Sequence, residues 1–207
     1  MSKQLLFISY AAPVIQSLQD FVSQHSQKIA LITTALEKEV QTPDWFSKDK
    51  QALASLQDVS VTEYTITGKT LEQLTQDLQD FDTLYVTGGN TMFLLEQIHK
   101  SGFKEYAQKH MNSGKAYIGQ SAGAMVAGPT LVPAVRSDHA AHTKIPDNLE
   151  GMGLIDFTVL PHWGSDELRK VYFSERLLKA YDESYKLIPL SNLQYIVVKD
   201  DWYRLYS

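Results

Sequence analysis

The chain has 207 residues, 43% of them hydrophobic and 21% charged, with a formal net charge of −5 and an isoelectric point of about 5.6. That length suits one α/β core, the composition is not that of a disordered chain, and the acidic balance argues against nucleic acid and anionic membrane surfaces as partners. No cysteine is present, which excludes disulfides, zinc–thiolate centres and a cysteine nucleophile.

The apolar run Leu5 to Ile8 is too short for a signal-peptide core, and no stretch approaches the roughly 18 apolar residues of a membrane helix, so the cytoplasm is the expected location. Leu5 to Tyr10 reads as a buried strand. Lys28 to Thr33, Val59 to Ile66, Thr83 to Thr87 and Lys115 to Gly119 follow as further strands. Helical stretches lie between them at Val14 to Ser23, Lys48 to Leu56, Thr70 to Leu78 and Thr91 to Lys100. This alternation implies an α/β fold, an open and mostly parallel sheet with helices on both faces. Pro129 to Asn148 has no clear period and reads as loop or short hairpin. Leu154 to Leu160 is a strand ending at Pro161-His162, Asp166 to Ala180 an amphipathic helix, and Gln194 to Val198 with Trp202 to Tyr206 a β-hairpin turning at Asp200 and Asp201. No linker or repeat interrupts the chain, so residues 1–207 are expected to form a single domain.

Gly119-Gln120-Ser121-Ala122-Gly123 matches the G-x-S-x-G pattern of a nucleophile elbow, between an expected strand and an Ala-rich segment able to form a helix. The turn is sharp, and a side chain at either glycine would collide with the neighbouring strand or helix. Ser121 would then stand above the carboxyl end of the strand, with the Ala122 N–H able to face a developing oxyanion. The plain alternative is a tight strand-to-helix turn chosen for packing.

A serine hydroxyl needs a base. His25, His99 and His110 fall on polar helix faces or helix ends and read as solvated. His162 ends an apolar strand, where open α/β sheets place their sites, and is the favoured base. Asp138, His139 and His142 form a D-H-x-x-H cluster that could hold zinc or iron, could be a polar loop, or could bring Asp138 to orient His162. No helix fixes its geometry and no fourth ligand is evident, so no metal and no cofactor is assigned. Gly88-Gly89-Asn90-Thr91 opens a helix after a strand. Its glycines let a ligand approach backbone N–H groups, completing an oxyanion hole or binding an anion, and Asn90 or Thr91 can cap the helix.

Taken together, Thr87 to Ile98 (TGGNTMFLLEQI), Tyr117 to Pro129 (YIGQSAGAMVAGP) and Leu160 to Trp163 (LPHW) resemble the peptidase E family over nearly the whole chain. The resemblance implies a sheet similar to that of class I glutamine amidotransferases, with serine in place of their cysteine. The implied activity is metal-free removal of N-terminal aspartate from dipeptides. It implies Ser121 as nucleophile, His162 as base, and Gly89 and Ala122 as oxyanion donors. Asp138 matches an acidic position considered as third member. Two positions depart from the pattern. Asn192 stands where the family often has glutamate; its side-chain oxygen can orient a histidine but cannot supply a full charge. The arginine that reads the aspartyl side chain falls near Phe173, with Arg176 the nearest arginine. The expected partner is a small peptide, with the protein a monomer or homodimer. Readings from other classes are an α/β-hydrolase esterase, which needs further βα units between Ser121 and His162, and a non-catalytic binding protein on the same scaffold.

Overall fold

The structure, a computed structural model, describes residues 3–135, 144–178 and 185–207. Its main sheet has seven strands among the described residues, in the order β3-β2-β4-β5-β1-β8-β9. The strands are β1 (Gln4–Ile8), β2 (Lys28–Ile32), β3 (Ser60–Tyr64), β4 (Thr83–Val86), β5 (Ala116–Gln120), β8 (Tyr195–Lys199) and β9 (Trp202–Tyr206). The first five run parallel, and β8 pairs antiparallel with both β1 and β9 as the expected terminal hairpin. β6 (Thr158–Pro161) and β7 (Leu187–Leu190) form a separate parallel pair.

Period-two alternation divides the apolar residues between two cores, because successive side chains of a strand point to opposite faces. Leu5 and Phe7 of β1, Ala30 and Ile32 of β2, and Leu84 and Val86 of β4 pack on one side. They meet α3 (Leu71–Leu78), α4 (Thr91–Ser101), α5 (Phe103–Asn112) and α6 (Ala122–Val126). Leu6, Ile8, Ile29, Leu31, Tyr85 and Ile118 face the other side, against α1 (Ile15–His25) and α2 (Asp44–Ala54). A sheet covered on both faces is why these strands read as continuous apolar runs.

Some elements differ from the sequence expectation. Helix α5 is an addition to it, although Phe103, Tyr106, Ala107, His110 and Met111 are buried on one stripe. β7 is a second addition. The strand expected at Leu154 to Leu160 is confined to Thr158–Pro161. Asp166–Val171 forms α7, which continues as a π-helical turn over Tyr172–Arg176.

His110 corrects an expectation outright: it is 4% exposed, not solvated, because it lies on the buried stripe of α5 beside Tyr106. Burial, then the nearby Lys115 charge, pushes its pKa down to about 4. A depressed native pKa gives stability that is present above the unfolded value of 6.5 and lost as pH falls from 6.5 toward 4. That gap is worth roughly 3 kcal/mol. Urea denaturation at pH 7 and pH 4 should therefore show a smaller acid loss for His110→Leu than for the parent chain, by about that amount.

Candidate active site

The parallel strands β1, β4 and β5 lie side by side, so their carboxyl ends deliver three segments to one place: Ser9-Tyr10, Thr87-Gly88-Gly89 and Ser121. In an open parallel sheet, that end is where ligands bind.

Ser121 links β5 directly to α6. Its backbone sits at φ 49° and ψ −106°, left-handed territory for a side-chain-bearing residue. Such conformations cost on the order of 1–3 kcal/mol and persist only where surrounding structure over-determines them. Here the packing is close on both sides. A Cβ on Gly123 would lie 2.1 Å from the Val86 carbonyl oxygen, and one on Gly119 would lie 2.8 Å from the Gly123 oxygen. The Ser121 N–H donates to Ile8 O at 2.9 Å, and the Ser121 carbonyl accepts from the amides of Ala124 and Met125, each at 3.0 Å.

The Gly88-Gly89 turn lies against Ser121: a Cβ on Gly88 would be 3.1 Å from Ser121 Cβ and 3.3 Å from the Trp45 ring. Gly89 has φ 129°, and a Cβ there would meet the Ala35 oxygen at 2.5 Å. Asn90 is committed to structure. Its N–H donates to Ala35 O at 2.8 Å and its Oδ1 caps α4 by accepting from Phe93 N at 3.0 Å.

His162 follows β6 at φ 65°, a second side-chain-bearing residue in left-handed backbone. Its Nε2 lies 2.8 Å from Ser121 Oγ, and its Nδ1 lies 2.9 Å from Asn192 Oδ1. Because Asn192 Oδ1 can only accept, Nδ1 carries the proton and Nε2 presents its lone pair to the serine hydroxyl. The histidine and the asparagine come together because β6 and β7 are in register, Pro161 opposite Leu190, so both turns leave the same end of the pair. Ser9 fixes that geometry: its Oγ accepts from His162 N at 3.1 Å and donates toward the carbonyls of Leu190 and Ser191, 3.1 Å from each.

The pKa of His162 is held below 6.5, first by burial; the Asn192 hydrogen bond raises it and the Arg176 charge lowers it. Arg176 is 4% exposed, with its guanidinium 5.0 Å from the Tyr172 ring centre. The Tyr172 hydroxyl in turn donates to Pro161 O. Tyr10 packs on His162 with centroids 4.6 Å apart and the rings tilted by 46°, and Trp45 packs 6.0 Å from Tyr10. Beside them opens a cleft of about 590 Å³, lined among others by Tyr10, Trp45, Lys48, Asp49 and Glu167.

The structure thus brings Ser121, His162 and Asn192 into hydrogen-bonded sequence, with Gly88, Gly89 and Ala122 around the serine. Asp138, with His139 and His142, lies outside the described residues. Sequence reasoning missed Ser9, Tyr10 and Trp45. The position of Ser9 and Tyr10 just past β1 was the available signal; Trp45, at the start of α2, had none.

Comparison with known proteins assigns the chain. An uncharacterised peptidase of Listeria innocua is 30% identical over 200 residues, which span 96% of this chain and 94% of that protein. The peptidase E of Nostoc sp. is 26% identical over 171 residues, 79% of this chain and 66% of that protein. The crystal structure of a candidate peptidase E from Listeria monocytogenes shares the fold with a TM-score of 0.86 at 27% identity, covering 100% of this chain and 98% of that one. Fold and relatives together define a peptidase built on a mostly parallel α/β sheet. The chain belongs to peptidase family S51, which it matches over residues 5–206, and with that membership goes serine peptidase activity.

The packing at the elbow sets an expectation of its own. Gly123→Ala places its methyl against a backbone carbonyl that cannot rotate away, so the cost should reach or exceed the upper end of overpacking, roughly 3 kcal/mol. Thermal unfolding should show a melting point lower by on the order of 10 °C.

Proposed function

We propose that the protein is a serine exopeptidase acting on short peptides, a dipeptidase that releases N-terminal aspartate or a related residue. The observation that carries this reading is the run of hydrogen bonds from Ser121 through His162 to Asn192. In the proposed mechanism Nε2 of His162 takes the Ser121 proton as Oγ attacks the scissile carbonyl carbon, and the carbonyl π electrons move to oxygen. The N–H groups of Ala122 and Gly89 receive that oxyanion. The Asn90 N–H is already bonded to Ala35 O, so the glycine turn supplies the donor and Asn90 holds the turn. Collapse expels the amine, which takes the proton back from His162. Water, deprotonated by the same nitrogen, then releases the acyl group and restores Ser121. Asn192 holds the ring and its tautomer throughout.

Preference for aspartate rests on Arg176. Its charge is felt at His162, yet the guanidinium is almost fully buried over Tyr172. A substrate carboxylate is therefore drawn by the field of Arg176 more than by an open bidentate contact. The test is a panel of Asp-, Asn-, Ala- and Lys-Leu dipeptides assayed by liberated amine. Asp-Leu should give the highest kcat/KM, and Ser121→Ala should lose at least about 10³-fold in kcat with its fold intact. Retained turnover in that variant would remove the reading.

The neutral partner sets the pH profile. Since the native pKa of His162 lies below 6.5, the acid limb of kcat/KM should fall below pH 6.5. Asn192→Asp places a charge beside Nδ1, stabilises the imidazolium, and should move that limb upward by about one pH unit or more. Asn192→Ala should lower kcat/KM by roughly 10²- to 10⁴-fold. A profile unmoved by the aspartate would show that Asn192 does not act on the ring.

A further inference from the structure

Beneath the elbow runs a buried polar chain that the proposed chemistry does not use. Gln120 immediately precedes Ser121 and is 1% exposed. Its Oε1 accepts from the Tyr85 hydroxyl at 2.7 Å, and its Nε2 donates to Asp49 Oδ2 at 2.6 Å. Asp49, 2% exposed, accepts with its other oxygen from Ala12 N at 2.9 Å. Tyr85 is fully buried on β4, Gln120 ends β5, Asp49 lies on α2, and Ala12 lies just beyond β1.

This chain has one polarity. A carboxylate only accepts, so Gln120 must turn its NH₂ to Asp49 and its oxygen to Tyr85, whose hydroxyl must donate. An apolar pair at 49 and 120 would avoid the desolvation of a carboxylate and an amide in this core, so stability alone does not call for the arrangement. What the polar chain supplies is direction. It fixes the residue that enters the strained Ser121 turn against β4, against α2 and against the segment after β1, the same segments that surround the nucleophile.

We propose that Asp49, acting through Gln120, is a positioning residue for the nucleophile: the fixed donor order Tyr85 to Gln120 to Asp49 sets the orientation of the elbow and so the Ser121–His162 distance. The effect on rate rests on the serine mechanism above; the effect on geometry does not. Neither side chain touches the reacting atoms, and Asp49, though part of the cleft wall, is only 2% exposed, so KM should change far less than kcat.

Four near-isosteric chains test this: the parent, Asp49→Asn, Gln120→Glu and the double variant. In Asp49→Asn, one oxygen still accepts from Ala12, but an NH₂ now faces an NH₂ unless Gln120 flips, which reverses the donor order and leaves the buried Tyr85 hydroxyl proton without its acceptor. In Gln120→Glu two carboxyl groups face each other and repel unless one takes up a proton, so the loss is read on the alkaline side, where both are ionised. In the double variant the carboxylate now at position 120 accepts from both Tyr85 and the amide now at position 49. The oxygen of that amide still accepts from Ala12, so the chain closes again with its charge moved one step. Each single variant should lose on the order of 10- to 100-fold in kcat, as a misplaced nucleophile does, with KM within about twofold. The double variant should recover most of that loss. Crystal structures supply a readout free of activity: the Ser121 Oγ to His162 Nε2 distance should open beyond about 3.5 Å in the single variants and close in the double. Single variants with parental kcat and an unmoved serine would overturn the proposal, as would a double variant no better than the singles. A loss that follows the melting temperature and appears equally in KM would assign the chain to stability alone. Ser121→Ala with full activity would instead sink the serine mechanism, leaving the crystallographic distances to decide the positioning.

Discussion

The backbone of Ser121, held at φ 49° and ψ −106°, is the constraint around which the rest of the molecule is arranged. A strand that ended in relaxed geometry would continue into solvent. This one reverses within one residue into α6 and leaves a hydroxyl at the bend. The reversal requires that strand and helix touch backbone to backbone, which Gly119 and Gly123 permit and no larger residue would. It also requires neighbours on both sides of β5, and the order β4-β5-β1 provides them. Val86 meets Gly123, and Ile8 receives the Ser121 amide.

A second strained residue answers the first. His162 also adopts positive φ, and it too is clamped by hydrogen bonds from outside its own element, through Ser9. Two conformations that each oppose folding are held by the segment after β1, a separate two-stranded sheet and a turn after β7. Packing elsewhere in the two cores offsets them, since burial at about 25 cal/mol per Å² outweighs a few strained dihedrals. Preorganisation follows, because the serine and histidine need no rearrangement to meet.

Much of this was legible in the sequence. The short apolar runs of β1, β2 and β4 declared strands buried on both faces, and G-x-S-x-G declared the elbow. Helix α5 was also legible, since its buried residues recur at helical spacing, but Ser101-Gly102 reads as the end of a helix and hides the start of the next. The glycine does both: at φ 75° it closes α4 and opens α5. β7 was obscured by Pro189, which is tolerated because, among the described residues, this strand belongs to a two-stranded pair in which each strand has an open edge. The burial of His110 followed from α5 and was lost with it. Asp49 carries no local signal whatever, since Lys48-Asp49-Lys50 looks like a solvated helix face. Its burial comes from the turn after β1 and from Gln120, contacts 37 and 71 residues away. The role of Asn192 was approachable only through resemblance, because its meeting with His162 depends on the register of β6 with the unseen β7.

The order of these parts along the chain has a consequence for synthesis. The serine elbow and the β1–β5 framework are complete by the end of α6 at Val126, whereas His162 and Asn192, the proposed base and its orienting amide, lie on segments that follow β6 and β7. β8 then docks antiparallel on β1, a strand made far earlier. In a chain emerging from the ribosome, Ser121 is therefore made well before His162, whose Nε2 lies beside its hydroxyl in the finished fold. The proposed triad is assembled only when β6 and β7 have followed the strands made before them. On the proposed mechanism, a nascent chain that still lacks those segments has no base for its serine.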